Sequence, residues 1–162
     1  MLLSPAITFA QDTTVLVQQA RRFANASFRN DQPTIIKMTY PPLVEMAGGD
    51  LMMQKSINDK LEQLHKQGIT KVDGSIGPAG SFHNAGEEIH SLLPEDITLR
   101  VKGGVYKSRS YLLAISKNGG KNWWFMDVGN MPQNILYRLV PALSPEIKIP
   151  AATPPVFVAD QP

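Results

Sequence analysis

Cysteine is absent from the 162 residues, which excludes disulfides, thiolate metal centres and a cysteine nucleophile. Charge is scarce as well. Sixteen basic residues face 14 acidic ones, the charged fraction is 19% and the formal net charge is +2. That balance supplies no field to draw in nucleic acid or anionic lipid. Arg21-Arg22 is the one adjacent basic pair, so nucleic acid is not an expected partner. No apolar run approaches the ~20 residues of a membrane-spanning helix. No serine stands in a Gly-x-Ser-x-Gly elbow and no phosphate-cradling glycine loop is present, so two common enzyme signatures are missing. No cofactor is expected.

What is there is an ordinary globular composition, 43% hydrophobic, in a length that suits one domain with a real core. Residues 1–10 (MLLSPAITFA) are apolar and uncharged, and the small Ala10 precedes Gln11. They read as the remnant of a signal peptide cut after Ala10, or as a disordered arm. The first reading makes the protein periplasmic or secreted. Residues 11–143 are expected to form a single α+β domain, and residues 144–162, with prolines at 145, 150, 154 and 155, an extended arm or flexible tail.

The pattern predicts helices first and strands after. Asp12, Thr13 and Thr14 suit an N-cap, and Leu16, Ala20, Phe23 and Phe28 recur at helical spacing behind them. A second helix opens at Pro33 and is interrupted by Tyr40-Pro41-Pro42, with one further turn to Gly48-Gly49. A third carries Met53, Ile57, Leu61 and Leu64 on one face and ends at Gly68. From Ile69 the period shortens to two. Strands are expected over 69–76, 87–93, 97–101, 105–116 and 122–128, with Pro94-Glu95-Asp96 ending the second. Pro132 to Leu139 forms a short last helix.

Asn118-Gly119 predicts a two-residue type I′ hairpin. That turn sets Ser116 opposite Lys121, Leu112 opposite Phe125 and Leu113 opposite Trp124. The run Ser116-Lys117-Asn118-Gly119-Gly120-Lys121-Asn122-Trp123 also resembles the Asp-box hairpin of sialidase-like propellers, with asparagine for aspartate. The chain is too short for a propeller, so the likeness implies only a turn that packs its tryptophan inward. Trp123, Trp124 and Phe125 are alternatively a stacking platform for a sugar or base, although neighbouring strand residues face opposite ways.

Candidate chemistry is sparse. His83, Glu87 and His90 are spaced four and three apart, which on a helix gathers them on one face as zinc ligands. On a strand Glu87 points away from His90, and the three become solvated polar residues at a strand entrance. Metal binding is not the expected outcome. For acid–base work the candidates are Asp127, Asp73 and His90, with the tyrosines Tyr40, Tyr106 and Tyr111. Asp127 follows an apolar run where burial would raise its pKa, or else it sits at the strand end beside Gly129 and accepts turn hydrogen bonds.

Phe28-Arg29-Asn30-Asp31, Thr39-Tyr40-Pro41 with Leu43-Val44-Glu45 and Gly48-Gly49, and the strand–turn–strand 112–128 give the order of elements a known look. Over residues 12–143 it resembles the nuclear-transport-factor-like superfamily, the cystatin-like fold shared by ketosteroid isomerase and SnoaL-like cyclases. The resemblance implies three helices closing over the concave face of a cone-shaped antiparallel meander. It also implies an apolar pocket, lined here by Phe28, Tyr40, Tyr111, Trp123 or Trp124. The family's catalytic pairs do not map onto this chain, and many of its members are binding or dimerisation modules. The leading expectation is therefore a non-enzymatic exported module for a small apolar ligand or a protein partner, with a homodimer through the outer sheet face. The alternatives are a small isomerase, dehydratase or cyclase with Asp127 or Asp73 as base, and a periplasmic immunity protein or inhibitor.

Overall fold

A computed structural model describes residues 13–162; the stretch read as a signal remnant or arm lies outside them. Helices α1 (Thr13–Arg29), α2 (Gln32–Met38), α3 (Pro41–Met46) and α4 (Asp50–Lys66) come first. Strands β1 (Lys71–Ile76), β2 (His83–Ala85), β3 (Glu88–Val101), β4 (Gly104–Ser116) and β5 (Trp124–Asp127) follow, then α5 (Gln133–Leu139) and β6 (Thr153–Ala159). All sheet pairings are antiparallel. The order is β1-β3-β4-β5, with β2 on the free part of β3 and β6 on β4. The α+β class and the strongly curled sheet expected from the sequence are both present.

Local chemistry accounts for the breaks. Asn30 takes a positive φ of 55° and Asp31 then caps α2 by accepting from the Thr34 N–H, as short polar residues do at such corners. Pro41 stops α2 from running on, and the Tyr40 N–H donates to the Phe125 carbonyl instead. The helical layer is thereby tied to β5 through one main-chain bond.

Two expectations are corrected. Pro94 does not end a strand; β3 runs through it for 14 residues. The Pro94 carbonyl accepts from the Gly77 N–H on the β1 side, so the missing proline donor also lies on that side. The ladder to β4 is left whole, which is where a strand tolerates proline. The hairpin register is the second. Leu112 faces Asp127 and Leu113 faces Met126, two residues from the expected pairing. Asn118 is not in the left-handed region; Gly119 and Gly120 are. A longer loop forms because Ser116 Oγ accepts from the Asn118 and Gly120 N–H groups and Asn118 Oδ1 accepts from Asn122. Trp123 tucks under it, buried, with its Nε1 donating to the Gly120 carbonyl. A slide of two preserves which face each side chain takes.

The sheet has two covered faces. Leu93, Leu112, Ala114 and Phe125 meet Leu16, Ala20, Phe23 and Ile35 on the inner face. Leu113, Ile115 and Met126 meet Tyr40, Leu136, Leu139 and Val140 on the outer one. The stretch read as an extended arm or flexible tail joins in. Ile147 and Ile149 pack on the outer cluster, and 153–159 adds β6. The outer face proposed above as a dimer surface is thus covered here by the chain itself. Helix α4 is different, since none of its residues is buried; its apolar stripe rests half-open beside the inner face. No helix among the described residues is long and apolar enough to cross a membrane.

Candidate functional site

The inner face carries Leu93, Glu95 and Ile97 in turn, because alternate residues of β3 point the same way. Glu95 is therefore aimed into the space that its apolar neighbours fill, and only 6% of it is exposed. Directly opposite on β4 stands Ser110. Ser110 Oγ donates to Asp127 Oδ1 at 2.5 Å, and the same oxygen accepts from the Gly129 N–H at 3.0 Å. Gly129 is required there, because a Cβ at that position would overlap Ser110 Oγ and touch Ala152.

These groups back a cleft of about 410 Å³ between the end of β5 and the start of β6. Lys60, Ile97, Ser110, Asp127, Asn130 and Pro154 are among its walls. Glu95 sits behind them: its register partner Ser110, its strand neighbour Ile97 and its charged neighbours Lys60 and Asp127 all line the opening. No hydrogen bond reaches the Glu95 carboxyl among the described residues. Burial, and then the nearby charge of Asp127, push its pKa up to about 7, against a smaller opposing pull from Lys60. A carboxyl with its pKa pushed up to about 7 thus stands behind the opening that Asp127 lines.

A different cluster occupies the outer face. Tyr40 Oη donates to Glu88 Oε1 at 3.2 Å, His90 Nε2 meets Glu88 Oε2 at 2.8 Å, and Lys117 Nζ lies 3.4 Å from Oε1. The Lys117 ammonium also rests 5.7 Å from the Tyr40 ring centroid. Burial raises the Glu88 pKa, but the hydrogen bond and charge of His90, followed by Lys117, outweigh it and leave the carboxyl below its ordinary value. Desolvation, with Glu88 beside it, pushes the Tyr40 hydroxyl up to about 12. His90 is fully buried, and its Nδ1 has no partner among the described residues. Tyr40 and His90 are buried and Glu88 is mostly so, and the cluster ties β3 to the α2–α3 corner.

The residues singled out from sequence are distributed as follows. Asp127 lies in the cleft, at the strand end beside Gly129. Asp73 is exposed on the opposite face, where Lys71 at 2.9 Å and the Gly74 N–H hold its pKa down; that makes it a poor base. His83 pairs with His90 across β2–β3, yet its Nδ1 contacts Glu146 while Glu87 is exposed at the turn. No group of three or more His, Asp or Glu among the described residues is placed to hold a metal ion. Phe28 and Trp123 belong to the inner core, whereas Tyr40, Tyr111 and Trp124 belong to the outer one. The five do not converge on one pocket, and Trp123–Trp124 form no platform. Glu95 and Ser110 are the residues that sequence reasoning passed over, whereas the strand reading of 87–93 already puts Glu88 on the face of His90, where the two meet.

Fold and cleft together define a small α+β domain with a curled half-barrel and a side opening lined by Lys60, Arg109 and Asp127. No family model matches the chain, and neither a curated protein nor a solved structure matches it.

Proposed function

We propose that this chain is a non-enzymatic, exported binding module that takes a small ligand bearing an amine on an apolar body. Its membership of the nuclear-transport-factor-like superfamily, carried by the sequence motifs above, is part of the same reading. The observation that carries it is Glu95, a residue only 6% exposed whose carboxyl takes no hydrogen bond from the protein among the described residues, placed behind an open cleft. Burial raises its pKa, and an ammonium entering beside Asp127 would pair with its ionised form. Ile97 and Pro154 supply the apolar wall.

Benzylamine, benzyl alcohol and benzoate test this with one shape and three charges. Benzylamine is expected to shift the amide resonances of Ser110, Asp127 and Gly129, and benzoate is not. Because the ammonium favours ionised Glu95, affinity should fall about tenfold per pH unit below the Glu95 pKa and level off above it. Equal shifts from benzoate, or a flat pH profile, would remove the ammonium reading.

A second reading is supported by Glu95 titrating near neutrality next to Asp127. In it the pair transfers protons, with Asp127 as base, in an isomerase- or dehydratase-type reaction. It predicts that the protein speeds deuterium uptake from solvent at the carbon beside a small ketone's carbonyl, and that Asp127→Asn abolishes the effect. Rates equal in the two proteins would reject catalysis and leave binding.

A further inference from the structure

Strand β6 pairs with β4 on one side, and among the described residues nothing pairs with its other side. All seven of its residues are exposed, Val156, Phe157 and Val158 by 58%, 47% and 44%. Proteins ordinarily protect such an edge with charges, bulges or a covering loop, yet Thr153–Ala159 contains no charged residue. Its only guards are Pro154 and Pro155, at one end.

The direction of the backbone groups follows from the ladder. The Asp160 N–H donates to the Gly103 carbonyl, so Val158 and Val156 also point their groups at β4. Phe157 and Ala159 then point theirs outward, because alternate residues face opposite edges.

We infer that this edge binds a second copy of the chain, strand β6 against strand β6 in antiparallel orientation about a two-fold axis at Val158. In that register Phe157 faces Ala159 of the second copy, and the two pairs exchange four main-chain hydrogen bonds. The interface is self-complementary, as a two-fold dimer requires. Charge fits too. Asp160 of the second copy would sit beside Val156, whose other neighbour is Lys107. The Lys107–Asp160 separation is ~10 Å between Cα atoms, two strand spacings, within reach of a lysine. Lys107 forms no ion pair among the described residues, and Asp160 is held on the same face by Arg100. One strand edge with its side chains covers less than the ~800 Å² per partner of a standard stable complex. The dimer is therefore weak and depends on concentration.

Sedimentation equilibrium of the full chain over a concentration series reads this directly. The mass is expected to rise from 17.8 kDa toward twice that value. Hydrogen exchange supplies the site: Phe157 and Ala159 amides become protected only at high concentration, while Val156 and Val158 are protected throughout. Val158→Lys sets two like charges together at the axis, and Ala159→Pro removes an outward donor without touching the β4 ladder. Each is expected to stay monomeric, and two variants are used so that one which fails to fold does not end the test. A constant monomer mass would overturn the proposal. So would dimerisation that leaves the Phe157 and Ala159 amides unprotected, or that survives in both folded variants.

Discussion

Replacing Glu95 with glutamine is expected to stabilise the protein at pH 8 and to change little at pH 4. The sign comes from linkage. The carboxyl has an ordinary pKa of 4.5 and a folded value of about 7, so the native state holds its proton more tightly than the unfolded chain. The stability this brings is complete below 4.5 and is lost as pH rises to about 7. The gap corresponds to about 3 kcal/mol. Glutamine has nearly the same shape and cannot ionise, so Glu95→Gln escapes that loss. Urea unfolding at several pH values should show the two proteins alike at pH 4 and separated by about 3 kcal/mol at pH 8. Parallel curves would contradict a raised Glu95 pKa.

Glu88 stands on the same strand and predicts the reverse. Its carboxylate serves Tyr40, His90 and Lys117 at once, and His90 has no other partner in the core. Glu88→Ala strips the buried imidazole of its hydrogen bond and the Tyr40 hydroxyl of its acceptor. Leaving a buried ring N–H and a buried hydroxyl without their acceptor costs about 1–3 kcal/mol each. The loss should appear at pH 7 in denaturant unfolding, and Glu88→Gln should recover part of it by restoring one acceptor. A change within about 0.5 kcal/mol, the size of an ordinary surface substitution, would show that the cluster does not hold β3 to the α2–α3 corner. Glu88 is held by its partners below its ordinary pKa, while burial holds Glu95 above its own, so the two respond to pH in opposite directions.

Much of the fold was legible because local signals and global pattern agree. The helical spacing of Leu16, Ala20 and Phe23, the break at Tyr40-Pro41 and the alternation around Ile97 and Leu99 each correspond to an observed element. The site was harder, for identifiable reasons. Pro94 reads as a strand end, and that reading placed Glu95 in a turn. Had β3 been carried through Pro94, Glu95 would have fallen in phase with Leu93 and Ile97 on the buried face, and a lone carboxylate there would have stood out. Asp127 was visible as a candidate, but its neighbours Ser110 and Glu95 come from two other strands, and their meeting depends on register. The hairpin shows the same limit: Asn-Gly suggested a two-residue turn, and side-chain bonds from Ser116 and Asn118 made a longer one. The prolines of 144–162 point to an extended arm or flexible tail and conceal the short apolar run Val156-Phe157-Val158 that β6 uses.

Glu95 is an acid without a hydrogen bond from the protein among the described residues, set behind the cleft with its pKa raised by burial. The direct measurement is an NMR titration of its side-chain carboxyl carbon, with and without benzylamine. A midpoint of about 7 that moves down when the amine is added is the expected result. A midpoint near 4.5, unmoved by the amine, would contradict it.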